Sequence, residues 1–536
     1  MISTKTQNDV NAALSSNEMG RAGLIAEEAI ARGESHEILF SLAALRRRQL
    51  GDNRGAVALY DRALDRAPDN PGILTAAGDA MRYTGQLKEA VKHFDRALAH
   101  EPMMIAAWYG RALAFEAQGA LEDARHSYTR VTELAPDTPA GFAGLASMQA
   151  QLAETVEARM NAKHAQALAP AESGTMMALA RCDIAEGQYD GAAKWLRMLL
   201  EQPGLVPEDE IIASELLGDS LDKLGLTDEA FDSYSRANRR FAAVHAGPDA
   251  IPNARHAIEA IDAGLALLEP GALAGSSSPA PTDAAGHVFL LGYPRSGTTL
   301  TEHILATIPN VVSLEEAPTL AAGEKYLSAD GIAALVALGD EEVAILRKEY
   351  WIVVAAAGID VSGKTFIDMD PLKGPALPLI ARLFPDAKII IMHRDPRDVV
   401  WSCFRRNFVF SPVTCEFTSL QRAARHYNAV MGVISRCIET LPLAVHILQY
   451  EELVREFERT TQSLCAFLEL PWSSDLREFR ITARARTVRT ASGPQVRQAL
   501  FDGSGQWINF ADYLKPVMPL LEPWIEPFVL PLGDNS

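Results

Sequence analysis

The 536-residue chain is predicted to be a helical solenoid followed by an α/β domain built on a parallel sheet. Three observations lead there. A 34-residue period runs through the first half. Short apolar runs, each followed by a turn and an amphipathic stretch, occupy the second half. Between them lies GALAGSSSPAPTDAAG, rich in Gly, Ser, Pro and Ala. The expected division is a repeat array with a capping helix over 1–270, a linker over 271–286 and the α/β domain over 287–536.

The period is read from several landmarks at once. Gly51, Gly85 and Gly119 fall 34 residues apart, and Gly187 lies two periods further on. Pro68, Pro102, Pro136 and Pro170 keep the same step, as do Tyr60, Phe94 and Tyr128. Each unit reads as two amphipathic stretches. The glycine turns the chain between them, and the proline ends the second. Small residues (Ala76, Gly110, Gly144, Ala178) let neighbouring helices approach. The phase weakens at Ala153 and slips near Gly225, and degraded flanking units bring the count to roughly six or seven. In this the first half resembles the tetratricopeptide repeat. That resemblance implies a concave surface that recruits a peptide or protein.

Composition narrows the classes. Net charge is −19, which argues against nucleic acid as the main partner. No apolar run approaches a membrane span of about 18 residues, and the polar N-terminus lacks a signal-peptide core. The five cysteines include no C-x-x-C pair, so reduced thiols in a cytoplasmic protein are expected.

In the second half, HVFLLG, AKIIIMH and LAVHILQY read as buried strands, a further strand follows Lys364, and 317–360 reads as helical. FLLGYPRSGTTLTEHIL (289–305) reads strand, turn, helix. Its centre approaches the phosphate-binding pattern G-x-x-x-x-G-K-[ST], with Gly292, Gly297 and Thr299 in place but Thr298 in the lysine slot. Such a P-loop-like turn offers backbone N–H groups and the positive end of a helix dipole to an anion. With Arg295 as the cation, it suits a shorter anionic chain than a nucleoside triphosphate and requires no metal.

YPRSGTTL resembles the 5′-phosphosulfate loop of sulfotransferases that use 3′-phosphoadenosine 5′-phosphosulfate. The resemblance implies that Arg295, Ser296, Gly297, Thr298 and Thr299 hold the 5′-phosphosulfate. It also implies a second basic site. That site is met by IIIMHRDPRDVVWSCFRRNF, where Arg394 ends a strand, Ser402 follows eight residues later, and Arg406 stands four beyond Ser402, on the same helical face. These three resemble the family's 3′-phosphate site. Counting from Pro309, Glu316 aligns with the base of tyrosylprotein sulfotransferase, with Glu315 beside it and His303 as the next candidate. Tyr450 is expected near the nucleotide. Ser492 takes the place of a serine at the transferring group, and Arg497 adds charge at the phosphates.

Two positions depart from the family. Met369 stands where a lysine is usual, with Lys364 and Lys373 as possible substitutes, and Gln506 stands where a basic residue is expected. The expectation is sulfuryl transfer from the nucleotide donor to a hydroxyl acceptor, a peptide or protein brought by the repeats included; a homodimer is compatible with it. Two alternatives stand beside it. One is a repeat scaffold with a degenerate nucleotide-binding domain. The other is an ATP-using kinase with Asp368 or Asp370 as a magnesium ligand.

Overall fold

The computed structural model describes residues 2–245, 254–269, 271–273, 282–328, 331–479 and 502–526. The chain divides into two compact units, Met1–Gln202 and Pro203–Ser536. The division by packing thus falls earlier than residue 270, and the last helical hairpin belongs with the sheet.

Among the described residues the first unit consists of twelve helices, α1 (Thr4–Ser15) through α12 (Tyr189–Leu200). One hairpin shows how the sequence dictates them. Asn70 caps the helix Pro71–Tyr83, its side chain accepting the Ile73 N–H at 3.1 Å, and Pro71 pre-sets the first turn. Gly85 then turns the chain at φ +77. Phe94, fully buried, packs into the notches left by Gly78 and Gly110. A Cβ at Gly110 would lie 2.5 Å from its ring. One period on, Tyr128 fills the notch at Gly144, where a Cβ would lie 2.3 Å away. Each such ring contributes about 1.5–3 kcal/mol of burial. Ala153 occupies the turn position one period after Gly119 and keeps its left-handed conformation at φ +62. The turn therefore survives the loss of its glycine.

The second unit opens with a hairpin of α13 (Pro207–Lys223) and α14 (Thr227–His245), in which Gly218 receives the Tyr234 ring. α15 (Ala254–Leu265) packs on the long helix α21 (Leu420–Thr440), joined by an Asp262–Arg436 ion pair at 2.6 Å. The sheet is fully parallel, in the order β2-β3-β1-β4-β5. Its strands are β1 (Gly286–Leu291), β2 (Val311–Glu315), β3 (Thr365–Met369), β4 (Lys388–His393) and β5 (Ala444–Gln449). The central strands β1, β3 and β4 are mostly apolar and buried because helices cover both faces. These include α16 (Thr298–Leu305), α17 (Gly331–Val336), α18 (Asp340–Ala356), α19 (Leu377–Leu383), α20 (Pro396–Phe404), α22 (Tyr450–Arg455) and α23 (Phe457–Leu468). β2 was not anticipated. It is an edge strand of five residues, mostly half-buried and interrupted by Ser313, so it carries little apolar signal. The helical reading of 317–360 holds. The chain reverses direction across the sheet between β1 and β4, where open α/β sheets form their crevice.

All five cysteines are buried and free. Among the described residues no helix is long and apolar enough to cross a membrane.

Candidate active site

Each strand delivers one site element at its carboxyl end. The loop 292–297 follows β1, Glu316 follows β2, Asp370 follows β3, Arg394 follows β4 and Tyr450 follows β5. Glycine is required twice in the loop. A Cβ on Gly292 would meet the Met392 carbonyl at 2.9 Å, and one on Gly297, at φ +109, would meet the Tyr450 ring at 2.8 Å. Arg295 is held in the left-handed region at φ +73. Gly297 caps α16 and brings no side chain of its own to the N–H groups of the first turn. Ser296, Thr298 and Thr299 are buried around this turn. Helix α20 fastens the loop from outside: the Cys403 thiol donates to the Pro294 carbonyl, and Ser402 Oγ accepts from Arg295 Nε at 3.0 Å.

The loop lies among arginines. Arg394 donates to the Arg295 carbonyl at 3.0 Å and to the Gly503 carbonyl at 2.7 Å, and its guanidinium lies 4.4 Å from the centre of the Tyr450 ring. Burial, then the nearby Arg406, Arg405 and Arg394, push Arg295 down to about 9. An arginine held down by burial and by neighbouring cations is a candidate partner for an anion. The Nε atoms of Arg394 and Arg405 are buried and have no hydrogen-bond partner among the described residues.

Arg406 is placed otherwise than its spacing suggested. α20 ends at Phe404 with Arg405 as its cap, so Ser402 and Arg406 do not share a helical face. Arg406 instead pairs with Glu215 Oε1 at 2.6 Å and Asp219 Oδ2 at 2.8 Å, both on α13. Burial opposes its charge, but Asp219 and Glu215 outweigh that and raise its pKa. Arg405, which the sequence reading passed over, bonds the side chain of Gln506. The cation expected at position 506 therefore comes from α20. Asp398, also overlooked, accepts the Gly505 and Trp507 N–H groups at 2.6 and 3.0 Å and ties the C-terminal segment to α20. Asp395 caps α20 and pairs with Arg397, while Arg394 faces the loop.

On the other side of the loop lies a cavity of about 530 Å³. Tyr293 of the loop, Glu316, Asp370, Lys373 and His426 all line it. Glu316 has φ +46, a conformation held by its N–H bond to the Met369 carbonyl at 2.8 Å. The cavity keeps Glu316 accessible. Even so, the surrounding protein, then Asp370 and Glu315, raise its carboxyl to about 7. Burial likewise lifts Asp370 to about 6, although Lys373 pulls against it. Glu315 ends β2 beside Met369, and His303 is buried on α16 next to Glu302; neither lines the cavity.

Met369 is fully buried in the core. Lys373 Nζ binds Asp368 Oδ1 at 2.6 Å and Thr319 Oγ1 at 2.8 Å. Lys364 pairs with the exposed Asp360 and does not reach the site. Asp368 also accepts from Thr319 and Tyr350, so its oxygens are taken up by protein donors. That speaks against Asp368 as a metal ligand. Ser492 and Arg497 lie outside the described residues.

A model of the sulfotransferase family matches residues 287–474, and a tetratricopeptide-repeat model matches 75–139. The chain is 29% identical over 249 residues to an uncharacterized protein of Aquifex aeolicus, covering 44% of this chain and 32% of that one. It is 28% identical over 195 residues to protein-tyrosine sulfotransferase 1 of Danio rerio, covering 35% of this chain and 54% of that one. It thus spans about a third and about half of these relatives' lengths. A thermophilic tetratricopeptide-repeat protein of Thermus thermophilus matches 34% of the chain and 98% of its own, at 20% identity and a TM-score of 0.30. The chain therefore joins a tetratricopeptide-repeat region to a sulfotransferase-family domain carried on a five-stranded parallel sheet.

Proposed function

We propose that this chain transfers a sulfuryl group from 3′-phosphoadenosine 5′-phosphosulfate to a hydroxyl acceptor. One observation carries the reading: a single loop stands between a cluster of buried arginines and a cavity that holds the Glu316 carboxylate. Arg295 stands among the arginines, and Tyr293, two residues before it, lines the cavity.

The donor's residues fit on the chain's own terms. The buried Nε atoms of Arg394 and Arg405, without a hydrogen-bond partner among the described residues, and the destabilised Arg295 would supply charge for two phosphate groups. Arg295, Ser296, Gly297, Thr298 and Thr299 would hold the 5′-phosphosulfate. Arg394, Ser402 and Arg405 would hold the 3′-phosphate, and Arg406 would contribute through its field from behind its two carboxylates. Tyr450 would back the nucleotide, and by the family resemblance Ser492 and Arg497 would complete the cover. The donor supplies the sulfuryl group: the acceptor oxygen forms the new S–O bond, and the bond to the 5′-phosphate breaks with its electron pair on that phosphate. Glu316 takes the acceptor's proton, a task suited to a carboxyl raised towards 7. With Met369 apolar and Lys373 tied to Asp368, Arg295 is the cation left for the transferring group. The repeat unit would recruit a peptide or protein partner.

The commitment of Lys373 also favours a second reading, a scaffold that binds the nucleotide without turnover. One experiment separates them. The full chain is incubated with the donor and a panel of phenols, alcohols, sugars and tyrosine peptides, and products are examined by mass spectrometry. A gain of one sulfuryl group on a hydroxyl supports transfer. Binding of adenosine 3′,5′-bisphosphate with no acceptor sulfated would leave the scaffold.

A further inference from the structure

The cavity beside Glu316 carries more information than the position of a base. Its volume, about 530 Å³, lies in the range of roughly 300–1,000 Å³ that encloses a small molecule. Its walls come from α15, α21 and the segments after β2 and β3, and are largely apolar: Ile258, Leu320, Leu327, Val413 and Val430. Its charges are unbalanced. Glu316, Glu324 and Asp370 line it against one cation, Lys373. That amine is already matched by the fully buried Asp368 at 2.6 Å. Burial raises the Glu316 and Asp370 carboxyls first, and neighbouring carboxylates add to it: Asp370 and Glu315 at Glu316, Asp368 and Glu324 at Asp370.

One polar group on the wall is unused. His426 is 1% exposed. Its Nδ1 meets the Tyr293 hydroxyl at 2.7 Å, and its Nε2 is buried with no hydrogen-bond partner among the described residues. Burial, then Arg255 and Arg422, keep the ring neutral. Assigning the Tyr293 hydroxyl as donor to Nδ1 puts the proton on Nε2, which then offers a donor to a ligand in the cavity. A buried donor left unmet is costly, so a ligand that meets it is favoured over one that does not.

We infer that the acceptor is a small hydroxyl compound with a neutral or cationic body, and that His426 selects it by donating from Nε2 to a polar substituent. The inference rests on the sulfotransfer reading for the word acceptor. It assigns the cavity to a small molecule, and leaves the repeats to bind something else.

The test uses three phenols of one shape: tyramine, 4-hydroxyphenylacetamide and 4-hydroxyphenylacetate, a cation, a neutral amide and an anion. Each is titrated calorimetrically into the full chain saturated with adenosine 3′,5′-bisphosphate. Tyramine and the amide should bind, and the anion should bind at least about tenfold more weakly. His426→Phe should weaken the amide about 5- to 150-fold. His426→Gln should restore much of that loss, because the glutamine Nε2 can stand where the imidazole Nε2 stood. The bisphosphate affinity and the thermal midpoint should stay level. Should His426→Phe unfold by orphaning the Tyr293 hydroxyl, the double variant Tyr293→Phe/His426→Phe removes both partners and is read the same way. Strongest binding by the anion, no binding by any of the three, or an amide affinity indifferent to His426 would overturn the inference. Because binding is read without turnover, the two readings fail separately. Phenols held through His426 but never sulfated sink the transfer reading. Sulfation that ignores both acceptor charge and His426 sinks only this one.

Discussion

Phe94 and Arg394 are both buried and both hold their surroundings together, but they do so over different distances along the chain. Phe94 packs against Gly78 and Gly110, sixteen residues away on either side. Arg394 binds the carbonyls of Arg295 and Gly503, 99 and 109 residues away. In the repeat unit a side chain's neighbours are set by a period. At the edge of the sheet they are set by the order in which strands lie. Substitutions in the two regions should therefore fail differently: the repeats by local loss of packing, the site by loss of chemistry in a chain that still folds.

The largest effect that would sharpen this contrast is at Glu316. Glu316→Gln should lower kcat by roughly 10²–10⁴-fold, the usual worth of positioned proton transfer. Donor affinity should hold, since the side chain faces the cavity. Glu315→Gln should be milder, because that residue ends β2 away from the cavity. Rates at saturating donor that fall more for Glu315→Gln would move the base by one position. A loss of only a few-fold for both would place it elsewhere, with His303 next.

Arg394→Ala comes second. Removing a charge-assisted contact worth about 1.5–3 kcal/mol should weaken adenosine 3′,5′-bisphosphate about 10- to 150-fold, and adenosine 5′-phosphate much less. Equal losses by calorimetry would remove Arg394 from the 3′-phosphate. For the repeats, Gly110→Ala forces a methyl to within 2.5 Å of the Phe94 ring. It should cost about 1–3 kcal/mol in urea unfolding of a chain ending at Gln202, with nucleotide affinity of the full chain intact. If that truncated chain does not fold while one ending near 270 does, the division at Gln202 is not a folding boundary.

The pH dependence comes next. The folded pKa of Glu316, about 7, lies above its ordinary 4.5, and that of Asp370, about 6, above 3.8. The fold thus favours their protonated forms. Stability contributed by this pair is present at low pH and is lost as pH rises from about 4 to 7. Activity runs the other way, because a base must be ionised: kcat/KM should rise through about pH 6–7 as the coupled pair loses its protons. Asp370→Asn should move that midpoint to lower pH, since it removes the second cause of the shift at Glu316. An unmoved profile would break the link. The smallest effect is a gain. Ala153→Gly relieves an L-residue at φ +62 and should stabilise the repeats by about 0.5–1 kcal/mol.

The two regions also differ in how much could be read beforehand. The glycine loop, the Arg394 turn and Tyr450 were legible because each is a local pattern that follows its own strand. The partnership of Ser402 with Arg406 was not, because i,i+4 spacing means a shared face only inside a helix, and α20 stops at Phe404. Gln506 looked like a missing charge, since nothing in the sequence shows that Arg405 lies against it. β2 was missed because an edge strand of five half-polar residues resembles a loop.

By itself the sequence determined the solenoid, the α/β character of the second unit, and the glycine loop between β1 and α16. Periodicity, apolar runs and turn residues act through neighbours near in the chain, so their energetics are written in order. The tertiary structure alone decided that the hairpin α13–α14 packs with the sheet and sets Glu215 and Asp219 on Arg406. It alone decided that Lys373 is tied to Asp368, and that α15 and α21 enclose a cavity around Glu316 with His426 on its wall. Those arrangements depend on which strands lie side by side and how far a carboxylate is removed from water, and neither quantity has a local signature.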